Sequence, residues 1–171
     1  KTVIKAIMED KSHVLWVGTE AGWWTLKPNE TILKSTKESP NDAKKQLSAK
    51  LTLLLPAQTM ISALLTDRLG VVWVGTHGQG IFRFRFDAAS QEYMLLDTFE
   101  EDFFDKNGLK SSHITCLYEG HEANEDVVWV GTREAGVQMY SRSKNTFRHC
   151  ERLFTKEPVG SRNFFGITTD K

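Results

Sequence analysis

The sequence has little cysteine and no long apolar run, and each shortage excludes a class of protein. Two cysteines among 171 residues are too few for a disulfide-rich scaffold, and Cys116 and Cys150 do not have the close spacing of metal ligands. The longest apolar stretch, Leu51–Leu55, ends at Pro56 and is far shorter than the roughly 20 residues of a membrane-spanning helix. We therefore expect this segment to make no membrane contact.

Net charge and catalytic motifs are also lacking. Lys and Arg total 22 and Asp and Glu total 22, so no net positive field attracts nucleic acid, and we expect no nucleic-acid partner. The chain contains neither a G-x-S-x-G elbow nor an H-E-x-x-H motif. His77 and His113 lack a clear third metal ligand. The sequence therefore predicts no cofactor, no metal and no enzymatic activity.

A five-residue block recurs three times along the chain. Leu15–Thr19, Val72–Thr76 and Val128–Thr132 each contain Trp-Val-Gly-Thr. The tryptophans are separated by 57 and then 56 positions, and a strand-like segment precedes each copy. Short β-branched and aromatic runs separated by turn residues, repeated at this spacing, are typical of β-propeller blades.

We predict an all-β fold, namely a β-propeller fragment of about three four-stranded antiparallel blades plus the first strand of a fourth. The predicted blades span about 1–57, about 58–111 and about 112–162, and the fourth starts at about 163–171. Because the chain opens at Lys1 rather than Met, we expect it to be a segment of a longer protein. Three blades cannot close a ring, so we also expect self-association or contact with the remaining blades of the parent protein.

The repeated residues have predicted structural roles. A turn aspartate can accept backbone N–H bonds, and a tryptophan can fill the space between neighbouring sheets. Small residues at one repeat position, Ala6, Ala63 and Cys116, suit an innermost strand where blades crowd together. The predicted structural set is Asp10, Trp16, Gly18, Asp67, Trp73, Gly75, Trp129 and Gly131.

The third repeat departs from this pattern. Gly120 replaces the turn aspartate, and Trp129 lies 9 residues after it, whereas 6 residues separate aspartate from tryptophan in the other repeats. We expect residues 121–126 to form an enlarged loop in which Asp126 restores the missing cap.

The first repeat has adjacent tryptophans, Trp23 and Trp24. Strand alternation predicts that only one of them faces outward. Trp23 also stands where the other repeats have Gly80 and Gly136.

The combined blocks resemble the two-component regulator propeller repeat, and they cover most of the chain: Ile4–Asp10 with Leu15–Thr19, Ile61–Asp67 with Val72–Thr76, and Ile114–Leu117 with Val128–Thr132. The resemblance implies the periplasmic or extracellular sensor region of a membrane-anchored bacterial signalling receptor. In such receptors the propeller recognises a ligand, often a carbohydrate, or mediates dimer contacts.

Candidate ligand-binding residues follow from analogy with other propellers, which bind ligands where second-to-third strand turns meet the starts of innermost strands. Glu20, His77 and Arg133 occupy equivalent turn positions and differ in charge, as expected for a binding mouth on a repeated framework. Ordinary variation of exposed loops gives the same pattern. The full candidate set is Glu20, His77, Gln79, His113, Arg133 and Glu134.

Three functions therefore remain open. The sequence favours a non-catalytic sensor segment that binds a small polar ligand such as a carbohydrate. A protein-interaction scaffold is the alternative, and a propeller lyase or hydrolase is a weaker one, since it requires a convergent acid, base or metal cluster at the channel mouth.

Overall fold

A computed structural model describes residues 3–26, 59–122 and 124–150, and these residues form eleven β-strands without a helix. Within this part of the chain there is accordingly no helix long and apolar enough to cross a membrane. The strands form three antiparallel sheets, each ordered as in the chain. The first sheet contains β1 (Ile4–Glu9), β2 (Leu15–Thr19) and β3 (Gly22–Leu26). The second contains β4 (Ile61–Thr66), β5 (Val71–Thr76), β6 (Ile81–Asp87) and β7 (Glu92–Phe99). The third contains β8 (Ile114–Glu122), β9 (Glu125–Thr132), β10 (Val137–Ser141) and β11 (Thr146–His149).

The predicted fold class is confirmed: the described residues form an all-β propeller fragment, and their three sheets do not close into a ring. The second and third sheets have four strands each and the first has three. The predictions of a fourth strand in the first sheet and of the start of a fourth blade fall on residues outside the described ranges. The blade boundaries therefore stay predictions.

The first strands of the three sheets pack side by side, with β4 between β1 and β8. Each of them carries a register shift at the same repeat position, at Lys5, Ser62 and Thr115. A bulge increases the local bend and twist of a strand, which suits strands that converge on one axis. The small residues Ala6, Ala63 and Cys116 directly follow these bulges, in agreement with their predicted place on the innermost strand.

The turn aspartates accept backbone N–H bonds within their own turns, the role expected from the sequence. Asp67 is buried, and its Oδ1 accepts hydrogen bonds from the Leu69 and Val71 amides at 2.9 Å each. Its Oδ2 accepts one from Trp73 Nε1 at 2.9 Å, so one carboxylate fixes both the turn and the indole plane.

Asp10 makes the same arrangement in the first repeat. Its carboxylate accepts the Val14 amide at 3.1 Å and Trp16 Nε1 at 2.6 Å. Tyr93 of the second sheet donates its hydroxyl to the same oxygen. Burial and the bond to Asp10 raise the pKa of Tyr93 well above its usual value, so this hydroxyl stays a donor.

The expected loop in the third repeat is wrong. The extra residues lengthen the hairpin, with His121 paired to Asp126 and Glu122 to Glu125. Among the described residues, the Asp126 carboxylate contacts side chains: His121 Nδ1 at 2.9 Å and Arg68 Nη1 at 2.7 Å. Gly120 is required instead of aspartate because a Cβ there would lie 2.6 Å from Trp129 Nε1.

The placement of Trp23 is also corrected. Gly22, with φ 117°, takes the position of Gly80 and Gly136, because the first turn is one residue shorter than the others. Trp23 therefore pairs with Gly18 and is buried, whereas Trp24 is 41% exposed. The expectation that only one of the two tryptophans faces outward is confirmed.

The glycine of the Trp-Val-Gly-Thr block leaves space for a side chain of the next sheet. A Cβ at Gly18 would lie 2.6 Å from Ile61 Cγ2, and one at Gly75 would lie 2.6 Å from Ile114 Cγ2. The isoleucine at the start of each following inner strand thus occupies a socket above the glycine of the preceding sheet. Close packing of interiors leaves no space for a larger residue at either glycine.

Two apolar cores fill the spaces between the sheets. Trp16 and Trp23 pack with Phe84 between the first and second sheets. Trp73 packs with Tyr140 between the second and third, their ring centroids 5.1 Å apart in an edge-to-face arrangement. Trp16 and Trp73 are fully buried, as predicted, while Trp129 is only half-buried.

Candidate functional site

The turns that carry the candidate residues share one scaffold. The threonine that ends each Trp-Val-Gly-Thr block donates its hydroxyl across the turn to a glycine carbonyl: Thr19 to Gly22 at 2.7 Å, Thr76 to Gly80 at 2.9 Å and Thr132 to Gly136 at 2.8 Å. The same hydroxyls accept the amides of Ala21, Gln79 and Ala135. The turn conformation is therefore set by buried residues, and the exposed side chains between them are free to differ.

Backbone hydrogen bonds connect each turn to the residue that directly precedes an inner strand. The amides of Glu20, His77 and Arg133 donate to the carbonyls of Val3, Met60 and His113 at 3.2, 3.0 and 2.9 Å. In the second repeat, Gly78 and Gly80 also donate to the Ser112 carbonyl, at 3.0 and 2.9 Å. These bonds place the turn of the second sheet against the start of β8 in the third.

Two histidines meet at this junction. His77 and His113 face each other across an isolated antiparallel bridge, with ring centroids 4.6 Å apart and planes at 75°. His77 is exposed, while His113 is half-buried. The two residues are 36 positions apart in sequence but come from neighbouring sheets, so the junction presents both imidazoles at the same end of the propeller.

Charged side chains from the third sheet border the two imidazoles. Arg133 Nη1 lies 3.3 Å from His77 Nε2, and Glu134 Oε2 lies 3.4 Å from His113 Nδ1. Glu134 also accepts a long hydrogen bond, 3.5 Å, from the hydroxyl of the buried Ser111. We call these four residues, His77, His113, Arg133 and Glu134, the imidazole cluster.

The imidazole cluster combines donors and acceptors within a few ångströms. An arginine guanidinium offers several N–H donors in a plane, a carboxylate accepts, and a neutral imidazole does both. Arg133 and Glu134 are both exposed, so their polar atoms can exchange solvent for the hydroxyls, amides or carboxylates of a solute. This composition suits hydrogen bonding to a polar molecule.

The remaining two candidates are engaged separately. Glu20 forms an ion pair with Lys5, Oε1 to Nζ, at 2.8 Å. The side-chain Oε1 of Gln79 accepts a hydrogen bond from the hydroxyl of the buried Thr59 at 2.6 Å. The structure thus brings four of the six predicted site residues together and places Glu20 and Gln79 at the same end, outside the cluster.

Glu101 supports the imidazole cluster but was not predicted from the sequence. Glu101 lies in the acidic connection after β7 and accepts the Ser112 amide at 3.2 Å, while its own amide donates to the Ser112 hydroxyl at 2.9 Å. These two bonds fix the segment that leads into His113. Only the spatial proximity of residues 101 and 112 reveals this role, since neither belongs to the repeated block.

The described ranges contain no group of three or more His, Cys, Asp or Glu residues arranged to hold a metal ion. The acidic residues of the connection after β7 form turns instead: Asp102 Oδ1 accepts the amides of Phe104 and Asp105 at 2.9 and 3.0 Å. These bonds lower the pKa of the Asp102 carboxyl.

Comparison with known proteins gives similar folds among solved structures. The chain superposes on the extracellular domain of the hybrid two-component system BT3049 from B. thetaiotaomicron with a TM-score of 0.64 and 18% identity, over 96% of this chain and 20% of that one. The extracellular domain of the one-component system BT4673 from B. thetaiotaomicron gives 0.58 and 18%, over 99% of this chain and 19% of that one. Neither a protein-family profile nor a curated protein matches the chain.

These likenesses support the propeller fold. The chain spans about a fifth of the length of either structure, so it corresponds to a small part of such a domain. The fold class is therefore that found in extracellular domains of bacterial signalling systems.

Proposed function

We propose that the chain is a non-catalytic sensor segment of a larger extracellular or periplasmic signalling receptor, and that the imidazole cluster contacts a polar ligand. The observation that carries this proposal is the cluster itself: His77, His113, Arg133 and Glu134 converge at one end of the sheets on turns whose backbone is fixed by buried threonines. A rigid framework reduces the entropy lost when a ligand binds.

The receptor context is supported by two observations. The three Trp-Val-Gly-Thr blocks resemble the two-component regulator propeller repeat, and the similar solved structures are extracellular domains of two-component and one-component systems. In a receptor of this kind, ligand binding would shift the balance between assembled states of the sensor region.

A carbohydrate is the ligand class to test first, because hydroxyl groups both donate and accept hydrogen bonds and so match the mixed chemistry of the cluster. The experiment follows the ¹⁵N and imidazole NMR signals of the chain during titration with neutral and uronic-acid oligosaccharides. At about 1 mM sugar, a site with a dissociation constant near 1 mM is half occupied. The expected result is shifts of the His77, His113 and Arg133 signals.

Matched variants decide whether the cluster is responsible. Arg133→Ala removes a charged donor, so affinity for the sugar that binds should fall about tenfold or more, since hydrogen bonds to charged groups contribute about 1.5–3 kcal/mol. His121→Ala removes a histidine from the opposite end of β8 and should change nothing. Binding unaffected by Arg133→Ala, or no shift with any sugar, would contradict the proposal.

A protein-interaction scaffold is the second candidate, and one observation favours it. Phe103 and Phe104 are 70% and 101% exposed on the connection after β7. Asp102 holds this connection in tight turns, and Lys110 Nζ donates to the Asp102 carbonyl at 2.7 Å. Exposed aromatic residues on an ordered segment are typical of protein contacts. A Phe104→Ser variant that bound its oligosaccharide normally but lost contact with the rest of the receptor would separate the two functions.

A further inference from the structure

The net charge of the imidazole cluster depends on its two histidines. Arg133 is positive and Glu134 is negative, so these two charges cancel. Histidine gains its charge as the pH falls from about 8 to about 5. The cluster therefore has no net charge while both imidazoles are neutral, and it becomes positive when they are protonated. Its attraction for an anion rises accordingly as the pH falls.

The contact between His77 and Arg133 changes its nature on protonation. Arg133 Nη1 lies 3.3 Å from His77 Nε2, and a guanidinium nitrogen can only donate, so this contact needs a neutral Nε2 that accepts. A protonated His77 carries a hydrogen on Nε2, and two positively charged donors then face each other. An anionic oxygen placed between them accepts from both and removes the repulsion. Both side chains are exposed, so such a group can reach them from solvent.

His113 and Glu134 form the other half of the cluster. His113 Nδ1 is buried without a hydrogen-bond partner among the described residues, because the contact with Glu134 Oε2 at 3.4 Å does not have hydrogen-bond geometry. Protonation of His113 would place a positive charge beside the Glu134 carboxylate and balance it. The charge that would otherwise repel an anion is then held by His113, and His77 and Arg133 are left to face the ligand.

The charged groups around His77 come from three segments. His113 precedes β8, Arg133 and Glu134 lie in the turn after β9, and Glu101 lies in the connection after β7, where its carboxylate accepts a backbone amide at 3.2 Å. The turns that carry His77 and Arg133 are closed by buried threonines. The backbone that positions the imidazole and the guanidinium is therefore already fixed before a ligand binds.

From these contacts we propose that the imidazole cluster binds an anionic group of a sugar, a carboxylate or a sulfate ester, between His77 Nε2 and Arg133 Nη1, and that His77 takes up a proton from solvent when it does so. Binding is therefore tighter at lower pH. Because linkage is reciprocal, the bound anion shifts the titration of His77 to higher pH by the same factor. The proposal rests on the ligand-binding function proposed above, and it adds the charge of the ligand and the pH dependence.

The test is NMR titration of the chain with D-glucuronate, glucose sulfate and, as the neutral control, D-glucose, each at about pH 8 and at about pH 5.5. Carboxyl groups titrate at about pH 4 and sulfate esters are stronger acids, so the charge on both anionic sugars is constant over this range. At least one of the two anions should bind about fivefold or more tightly at the lower pH, and the one that binds identifies the anionic group. The midpoint of the His77 imidazole titration should move to higher pH when that anion is present.

The outcomes separate this inference from the proposed function. Equal anion affinity at the two pH values, or D-glucose that binds as tightly as either anion, would overturn the inference and leave the proposed ligand site in place. Cluster signals that respond to none of the three sugars would also overturn it, while the oligosaccharide titration decides separately on the proposed function.

Three variants locate the effect. His77→Gln keeps a side-chain N–H donor but cannot be protonated, so its anion binding should lose most of the dependence on pH. His121→Gln is the matched control and should keep the wild-type pH dependence, since His121 Nδ1 also contacts a carboxylate, Asp126 Oδ1 at 2.9 Å, outside the cluster. Glu134→Gln removes a like charge, so it should strengthen anion binding at about pH 8, whereas a neutral ligand would lose an acceptor.

Unchanged signals away from the cluster show that each variant is folded. A pH dependence undiminished in His77→Gln, or anion binding that Glu134→Gln weakens, would overturn the inference.

Discussion

Removing the Asp67 side chain should be among the most destabilising single changes in the described structure. The carboxylate is 1% exposed and accepts hydrogen bonds from two turn amides and from the Trp73 indole, each at 2.9 Å. Arg142 Nη2 of the third sheet lies 3.0 Å from Oδ2. In Asp67→Ala the two amides and the indole lose their acceptor inside the protein, where water does not replace it, while Arg142 Nη2 keeps its 2.6 Å contact with Glu119 Oε1.

The expected loss in the free energy of unfolding is about 3–5 kcal/mol, because three buried donors lose their acceptor at a cost of about 1–3 kcal/mol each. Urea denaturation followed by tryptophan fluorescence measures it from the shift of the midpoint. The control is Asp87→Ala, since the half-buried Asp87 also accepts turn amides, from Ala89 and Ser90 at 3.2 Å each. The control should lose less than about 1 kcal/mol.

A loss of under about 1 kcal/mol in Asp67→Ala would refute the reasoning, because it would mean that the buried donors find other acceptors. Equal losses in Asp67→Ala and Asp87→Ala would refute it too. Burial and the two contacts to Trp73 and Arg142 are the differences between these two turn aspartates, so the comparison isolates their effect.

Two further predictions concern packing and pH. Gly18→Val should destabilise the chain by about 1–3 kcal/mol in urea denaturation, because its Cβ would lie 2.6 Å from Ile61 Cγ2. A loss below about 0.5 kcal/mol, the range of ordinary surface substitutions, would contradict the socket. Hydrogen bonds from the Ser141 hydroxyl and the Ser143 amide lower the pKa of Glu125 from 4.5 to about 2, so its stabilising effect is complete above pH 4.5 and is lost as the pH falls toward 2. Thermal melts of the wild type and Glu125→Gln should differ most above pH 4.5 and converge near pH 2, and a difference that does not depend on pH would exclude this origin.

The repeated residues made the fold predictable from the sequence. Asp67, Trp73 and Gly75 each act within their own repeat or on the next one, and the same contacts recur about 57 residues earlier at Asp10 and Trp16. A contact that every repeat makes leaves a periodic signal. The strands and the turn aspartates could be predicted because they carry that signal.

Contacts that differ between repeats could not be predicted in this way. Asp10 receives a phenol hydroxyl from Tyr93, while the equivalent Asp67 receives a guanidinium from Arg142. The two partners occupy the same place with different chemistry and come from different strands or turns of the next sheet. Neither Tyr93 nor Arg142 belongs to the repeated block, so these two contacts are visible only in the folded structure.

The third repeat shows the same limit for loops. Three extra residues after Gly120 led us to predict a loop over 121–126, but cross-strand pairs extend the hairpin as far as Glu122 and Glu125. Arg68 of the second sheet then binds both Asp126 and Glu119, at 2.7 and 3.3 Å, and these pairs help to hold the extended hairpin against its neighbour. Because Arg68 lies 58 residues before Asp126, local sequence could not indicate this support.

The division between fixed and variable contacts also explains why the imidazole cluster lies where it does. Each turn at this end is closed by a buried threonine and by backbone hydrogen bonds, so no exposed side chain is needed for its shape. The positions of Glu20, His77 and Arg133 can therefore change charge without cost to the fold. A site built on such positions is free to acquire a new ligand preference, whereas at the opposite end Asp67 and Trp73 cannot vary without loss of stability. The residues of the proposed ligand site therefore occupy positions that the fold leaves free to vary.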